Sequence, residues 1–329
     1  MAILVTGGCG YIGSHLVWAL TDRGENVIVL DNLSTGFDWA IPPEVELVRG
    51  DIGDRDLLDR LLGRSGVDVI VHFAGSVIVP ASVSDPLEYY FNNTVKSREL
   101  IAAAVRHDVK NFVFSSTAAI YGNPDVIPVP EDVVPKPMSP YGSSKLMTEI
   151  MLTDTAVAHD FRYVVLRYFN VCGADPRGRT GQSTKGATHL VKVACETALG
   201  RRLAIEVFGT DYPTRDGTGV RDYIHVTDLA EAHVLAVRHL RERQTSLVAN
   251  CGYGRGFSVL DVLKAVERVT GRPLPVVIGP RRAGDTAEVV AEVRRIHAHF
   301  DWTPKWDHLD TIISHALAWE EQLVKRNRI

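Results

Sequence analysis

A chain of 329 residues, 45% hydrophobic and 23% charged, is long enough to bury a large core and has the make-up of an ordinary globular protein. Its net charge of −4, with neither a basic block nor an acidic tail, argues against nucleic acid or an anionic lipid surface as the main partner. No apolar run is long enough to span a membrane. Cys9, Cys172, Cys195 and Cys251 lack metal or redox spacing, and no signal peptide precedes them, so a reduced cytoplasmic protein without a metal is expected.

Through the first half, short β-rich runs alternate with helical patterns. "AILVT", "NVIVL", "VELVRG", "VDVIVHFAG", "NFVFSST" and "RYVVLRY" read as strands, with "DLLDRLLGR" and "NNTVKSRELIAAAVRHD" as amphipathic helices between them. Near-continuous apolar strands separated by helices indicate a parallel sheet covered on both faces. The expected fold class is α/β, with a doubly wound, Rossmann-type parallel sheet. After about residue 170 the texture changes. "GADPRGRTGQSTKGAT" is loop-like, and "GTDYPTRDGTGVRDY" is a second Gly- and Asp-rich excursion. "VTDLAEAHVLAVRHL" and "LVANCGYG" read as one more helix and strand returning to the sheet. The tail from 252 reads as a helix, a proline-broken strand and a final helix. The expected division is 1–170 plus 222–251 for the dinucleotide-binding domain, and 171–221 plus 252–329 for a smaller mixed α/β lobe.

The start, "ILVTGGCGYIGSH", sets Gly7, Gly10 and Gly13 between a strand and a helix. Glycines there permit a tight turn, close approach of backbone to a pyrophosphate and close helix packing, while the helix N-terminus favours negative charge. Such a triplet alone is often only a turn. Here Asp31 ends the next strand, eighteen residues after Gly13, where a carboxylate accepts hydrogen bonds from ribose hydroxyls and repels a 2′-phosphate. No arginine or lysine occurs from 31 to 43, so NAD rather than NADP is expected.

In "SPYGSSKLMTE", Ser139 suits a helix cap and Pro140 the first turn, where a missing N–H costs nothing. Tyr141 and Lys145 then lie one turn apart on one face. Taken alone, the pair reads as a surface lysine laid along an aromatic ring. The sharper reading is an activated tyrosine: a phenol of pKa about 10 is a poor base at neutral pH, and a fixed cation lowers it by ~1–3 units.

The Gly-x-x-Gly-x-x-Gly spacing, together with Tyr141 and Lys145, resembles the extended short-chain dehydrogenase/reductase family. Similarity to its UDP-glucose 4-epimerases continues through "TGGCGYIGSH", "LDNLSTG", "GDI", "HFAG", "PLEYYFNN", "FSSTAAIYG", "SPYGSSKLMTE", "LRYFNVCGA", "GTDYPTRDGTGVRDYIHV" and "RRAGD". The resemblance implies Tyr141 as base, Lys145 as ribose ligand and modulator of the phenol, and Thr117 in "FSST" as proton bridge between phenol and sugar. It implies NAD held by Gly7, Gly10, Tyr11, Ile12, Gly13, Asp31, Asn32, Asp51, Ile52, Phe73, Ala74, Gly75, Asn92, Tyr141, Lys145 and Tyr168. The smaller lobe becomes the nucleotide-sugar domain. There Arg221 and Arg282 are expected on the diphosphate, Asp285 on ribose and Phe208 near uracil, and Asn170 at the sugar or diphosphate. Val289 lies where a tyrosine excludes N-acetyl sugars in narrower relatives, so a roomier pocket is expected; an apolar strand residue is the plainer alternative.

The implied activity is interconversion of UDP-galactose and UDP-glucose through a 4-keto sugar, extending to UDP-N-acetylhexosamines, by a homodimer whose contacts come from helices within 85–107 and 141–159. This chain departs from the family at Val77, where a lysine is common, and at Thr188 and His189, which replace an asparagine pair. No catalytic role is expected for His189. A nucleotide-sugar 4,6-dehydratase would need an acid–base pair where Ala118 and Ala119 follow Thr117. A non-catalytic NAD sensor would have no use for Tyr141, Lys145 and Thr117 together.

Overall fold

The computed structural model describes residues 1–282 and 285–326, apart from the Ser65 side chain. The middle of "RRAGD" and the last three residues assigned to the smaller lobe therefore lie outside the described residues. In chain order the first half runs β1 (Ala2–Thr6), α1 (Tyr11–Thr21), β2 (Val27–Asp31), β3 (Glu46–Arg49), α2 (Arg55–Ser65), β4 (Val67–His72), α3 (Val79–Ser84), α4 (Pro86–Tyr89), α5 (Lys96–Arg106), β5 (Asn111–Thr117), α6 (Pro140–Ala158) and β6 (Arg162–Tyr168). The second half runs β7 (Asn170–Cys172), α7 (Leu190–Ala198), β8 (Ile205–Phe208), β9 (Val220–His225), α8 (Val226–Arg243), β10 (Leu247–Cys251), β11 (Gly256–Ser258), α9 (Val259–Thr270), β12 (Val276–Gly279), β13 (Glu288–Val289), α10 (Arg294–His299) and α11 (Leu309–Arg326).

The main sheet has seven strands in the order β10-β6-β5-β4-β1-β2-β3, every pairing parallel. Period-2 alternation divides its side chains between two cores. Ile3 and Val5 of β1 join Val29, Val71 and Leu166 against α1 and α8, whereas Ala2 and Leu4 join Ile28, Ile70 and Phe112 against α2, α5 and α6. Both faces are therefore covered, as the continuous apolar strands require. Among the described residues, no helix is long and apolar enough to cross a membrane.

The smaller lobe is built on a four-stranded sheet, in which β9 pairs with β11, β13 and β7, and on the β12–β8 pair. Its core joins α7, α9 and α11 through Val191, Cys195, Val262, Val266, Ile312 and Ile313. β9 carries residues 222–225, expected with the larger domain, into this smaller sheet, and the chain crosses back where α8 begins at Val226. Asp222 secures the crossing: its buried carboxylate accepts from the backbone N–H groups of Tyr253 at 2.9 Å, Gly254 at 2.9 Å and Ala291 at 3.3 Å.

The helix read across 92–108 is divided. Residues Tyr90–Val95 form a π-helical turn between α4 and α5. Such wide turns commonly occur at functional sites.

Burial also gives the fold a pH dependence. It holds three buried histidines well below 6.5: His15 at about 4, His72 at about 3 and His233 at about 4. The unfolded chain therefore binds more protons than the folded one between pH 6.5 and 4, so acidification through that window favours unfolding. Asp222, raised to about 6 by burial, and Asp31, Asp228 and Glu320, also raised, act in the opposite direction, but the lowered histidines, which include His189, His225, His239 and His315, outnumber them. The melting temperature is expected to fall by about 5–10 °C between pH 7 and pH 4, as read by calorimetry. A flat profile across that window would contradict neutral buried histidines.

Candidate active site

β1 ends at Thr6 and the chain turns at Gly7, with φ +70°. A Cβ there would lie 2.6 Å from the backbone N of Ala74, and one on Gly13 would lie 2.3 Å from the carbonyl oxygen of Gly7. Both obstacles are backbone, so no side chain can move aside. The turn therefore lies directly against Phe73–Gly75 after β4, at the point where strand order reverses about β1. Gly10 leads into α1 without a side-chain cap, so the first N–H groups of the helix face the loop. Asp31, at the end of β2, accepts from the Cys9 N–H at 2.9 Å through Oδ2 and from the Leu33 N–H at 2.8 Å through Oδ1. It thereby ties β2 to the glycine loop and keeps a lone pair on each oxygen. Burial raises its pKa above the ordinary carboxylate value. A backbone cradle with no room for a Cβ, edged by a buried carboxylate, fits the pyrophosphate and ribose of a dinucleotide.

Farther along that edge, Asn32 donates to Asp51 at 3.2 Å, the Gly53 N–H donates to it at 2.8 Å and Lys96 Nζ at 2.8 Å. Burial opposes the charge on Asp51, but these bonds outweigh it and hold the carboxyl below its usual range. Ile52 is buried beside it. Lys96 was not singled out by sequence, because its partner lies 45 residues away and the helix face gave no sign of it.

Gly75 follows at a φ of +157°, which side-chain-bearing residues rarely adopt. The π-helical turn brings both asparagines of "FNN" here. Asn92 Nδ2 donates to the Ser76 hydroxyl at 2.8 Å. The buried Asn93 accepts from the Ser76 N–H at 2.7 Å and donates to the Ser144 hydroxyl at 3.0 Å, joining this loop to α6. Sequence reasoning placed only Asn92; the adjacent Asn93 is the more deeply held of the two.

Ser139 caps α6 by accepting from the Gly142 N–H at 3.2 Å, and Pro140 occupies its first turn. Tyr141 and Lys145 consequently face β5, and both are buried. Burial pushes the Tyr141 phenol up to about 12, while the nearby Thr117 hydroxyl pulls it down. The Lys145 ammonium donates to the Ser115 carbonyl at 3.0 Å and lies 4.8 Å over the Phe114 ring. A buried ammonium takes the nearest carbonyl. Burial brings Lys145 itself down to about 8, with the Glu149 charge opposing. The Tyr168 phenol is also raised by burial and by Tyr141, while the nearby Ser115 lowers it.

The residues expected on the substrate lie in the smaller lobe. Arg221, on β9, is aimed by bonds to the Val220 carbonyl and the Thr286 carbonyl, each at 2.8 Å. The Arg282 guanidinium lies 4.0 Å from the centre of the Phe208 ring, which brings two of the expected substrate residues together. Asn170, the first residue of β7, and Asp285 are exposed. Val289 pairs with Arg221 across β13 and β9, and is buried in a cluster with Ile120, Tyr121 and Phe169 that Ala118 borders. Its side chain thus belongs to an apolar cluster immediately behind Thr117. A small, open cleft lies beside Tyr11, Cys172, Gly173, Gln182, His189 and Lys192. His189 Nδ1 is 3.3 Å from the Gln182 amide, a hydrogen-bonded position. Among the described residues, no group of three His, Cys, Asp or Glu side chains could hold a metal ion.

Residues 3–252 match the model of the NAD dependent epimerase/dehydratase family. A UDP-glucose 4-epimerase of Azospirillum brasilense is 55% identical over 321 residues, 98% of this chain and 92% of that protein. The crystal structure of UDP-glucose 4-epimerase from Bifidobacterium longum in complex with NAD+ and UDP superposes with a TM-score of 0.93 at 37% identity, covering 98% of each chain. The UDP-Glc/GlcNAc 4-epimerase of Campylobacter jejuni matches with a TM-score of 0.85 at 42% identity, over 98% of this chain and 99% of that one.

Proposed function

This chain belongs to the NAD dependent epimerase/dehydratase family, and on that premise we propose that it interconverts UDP-galactose and UDP-glucose by inverting sugar C4. The observation that carries the reading is the burial of Tyr141 and Lys145 together against the end of β5, where Thr117 lies. A dehydratase is disfavoured because Ala118 and Ala119, which follow Thr117, cannot transfer protons.

NAD, when bound, supplies the two-electron acceptor and donor for sugar C4 and a positive charge near the phenol. Tyr141 takes the proton of the 4-hydroxyl and later returns it, with the Thr117 hydroxyl as bridge. A phenol held at about 12 is protonated at neutral pH, so it becomes a base only when positive charge reaches it. Lys145, one turn away, has four methylenes with which to bring its ammonium there from the Ser115 carbonyl. Arg221 and Arg282 are suited to hold the diphosphate by bidentate contact, leaving the 4-keto sugar free to turn and present its other face. Asn170 and Asp285 are assigned to the sugar and the ribose, and Phe208 to the base. Purified enzyme is expected to epimerise UDP-galactose without added cofactor and to release NAD on denaturation; an active preparation that releases none would contradict this.

We assign activity on UDP-N-acetylglucosamine as well, supported by valine at 289 in place of a bulkier aromatic. Val289→Tyr is expected to lower the ratio of N-acetylated to plain hexose turnover by at least tenfold, because overpacking clashes with the larger substituent. Equal loss of both activities, accompanied by a lower melting temperature, would assign Val289 to the core alone.

We also infer a homodimer in the cytoplasm. Leu87, Phe91 and Val95 form an exposed stripe at four-residue spacing, and Met147, Ile150 and Val157 form another along α6. The Thr94 hydroxyl meets Met147 Sδ at 3.8 Å, which makes the two stripes one face. Exposed apolar faces of this extent mark interaction sites. Light scattering is expected to give twice the chain mass; a monomer at all concentrations would overturn the dimer.

A further inference from the structure

Three side chains on successive turns of α6 each meet one of three consecutive residues of β5. The Tyr141 phenol lies near the Thr117 hydroxyl, Lys145 donates to the Ser115 carbonyl at 3.0 Å, and the Ser116 hydroxyl donates to Glu149. Glu149 is locked from the other side by Arg167 of β6, with Nη2 at 2.7 Å and Nε at 3.2 Å. Both side chains are almost enclosed, with 7% and 8% exposure. Arg167 is held in turn by the Tyr121 hydroxyl and the Glu131 carbonyl, each at 3.0 Å. The chemical steps above use neither Glu149, Ser116 nor Arg167. A buried ion pair is weak evidence of a stability role, since such pairs often contribute little net stabilisation.

We propose that Glu149 is a positioning residue for the epimerase reaction: anchored by Arg167, it clamps α6 to β5 through Ser116 and presents a negative charge to Lys145. The proposal rests on the reading of Tyr141 and Lys145 as the reacting pair. Apart from Arg167, whose charge is paired with Glu149 itself, the other elements around Lys145 bring no charge at neutral pH. His72 on β4 hydrogen-bonds Thr6 and Ser97 and is kept neutral by burial. His233 on α8, reached through the Ser115 hydroxyl at 2.7 Å, is neutral for the same reason. Tyr168 on β6 and Tyr141 stay protonated, and the segment after β4 and the π-helical turn contribute uncharged Gly75 and Asn93. Glu149 is thus the charge that opposes loss of the Lys145 proton. Without it the ammonium deprotonates at lower pH.

The test is the pH profile of kcat for UDP-galactose, measured on the NAD-loaded enzyme with wild type alongside. Wild-type turnover checks the epimerase reading by itself. Glu149→Gln combined with Arg167→Gln removes both charges without orphaning either. Its kcat is expected to fall about tenfold and its alkaline limb to move down by about one pH unit, with KM within about twofold of wild type. Ser116→Ala keeps the ion pair and loses the clamp. Its kcat is expected to fall roughly threefold or more, with the alkaline limb unmoved. An NAD-loaded double variant with wild-type kcat and alkaline limb would overturn the electrostatic role. Wild-type kcat in Ser116→Ala would overturn the clamp; should the double variant not fold, Glu149→Gln alone reads the charge, and an alkaline limb unmoved from wild type would overturn the electrostatic role.

Discussion

Tyr141→Phe is expected to reduce turnover of UDP-galactose by roughly 10²–10⁴-fold while leaving melting temperature and bound NAD close to wild type. The phenol ring is buried and its packing survives in phenylalanine; the hydroxyl, which lies near that of Thr117, does not. With the phenol pushed up to about 12, the hydroxyl contributes little as a free base, so the loss measures its role once the active site has assembled around it. Turnover is to be measured by product formation at saturating substrate, so that a change in binding is not mistaken for a change in chemistry. Activity within about twofold of wild type would remove Tyr141 from the proton path.

Gly7→Ala is expected to yield protein that retains no NAD and therefore has no activity. Two costs add at this position. An alanine at φ +70° costs roughly 1–2 kcal/mol in backbone conformation. Its Cβ would also lie 2.6 Å from the backbone N of Ala74, so β1 and β4 must separate at the point where they flank the cofactor cradle. Gly24→Ala is a suitable control: φ there is +75°, yet nothing lies within 4 Å of the added atom. It isolates the conformational cost from the steric one. NAD content after gel filtration, alongside the melting temperature, separates a lost cradle from a lost fold. A Gly7→Ala protein that keeps its NAD would refute the close-approach argument.

The parts of the fold that could be read from sequence are those in which one physical demand governs every residue. β6 was legible as "RYVVLRY", and β2 as a run ending at Asp31, because a parallel strand covered on both faces must be apolar nearly throughout. The short strands of the smaller lobe face a weaker demand. β8 alternates between buried and exposed, while β7 and β11 are three residues long, too short to show a period. β9 was hidden at the end of a Gly- and Asp-rich stretch, because its pairing with β7 and β13 comes from distant segments. α7 was overlooked for a similar reason, with a long loop before it and no side-chain cap at His189 to mark its start.

The site divides in the same way. The glycine cradle, Asp31 and the Tyr141–Lys145 spacing are local patterns, and they lie where local chemistry placed them. The Ser115 carbonyl that takes the Lys145 ammonium is thirty residues away, and Arg167, which anchors Glu149, is eighteen away. Such partners follow from sheet order, which the spacing of residues along the chain does not encode. The family resemblance named residues whose identity alone carried no signal, among them Arg221 and Arg282.

The central claim is that Tyr141 and its neighbours serve a transient oxidation at sugar C4 that is reversed on the opposite face. UDP-galactose carrying deuterium at C4 tests it directly, incubated with the purified protein without added cofactor and analysed by mass spectrometry and proton NMR. The account predicts UDP-glucose that retains the deuterium at C4, since the hydrogen removed from that carbon returns to it within the closed site. UDP-glucose in which C4 carries hydrogen from solvent, or no conversion by a preparation shown to hold NAD, would contradict it.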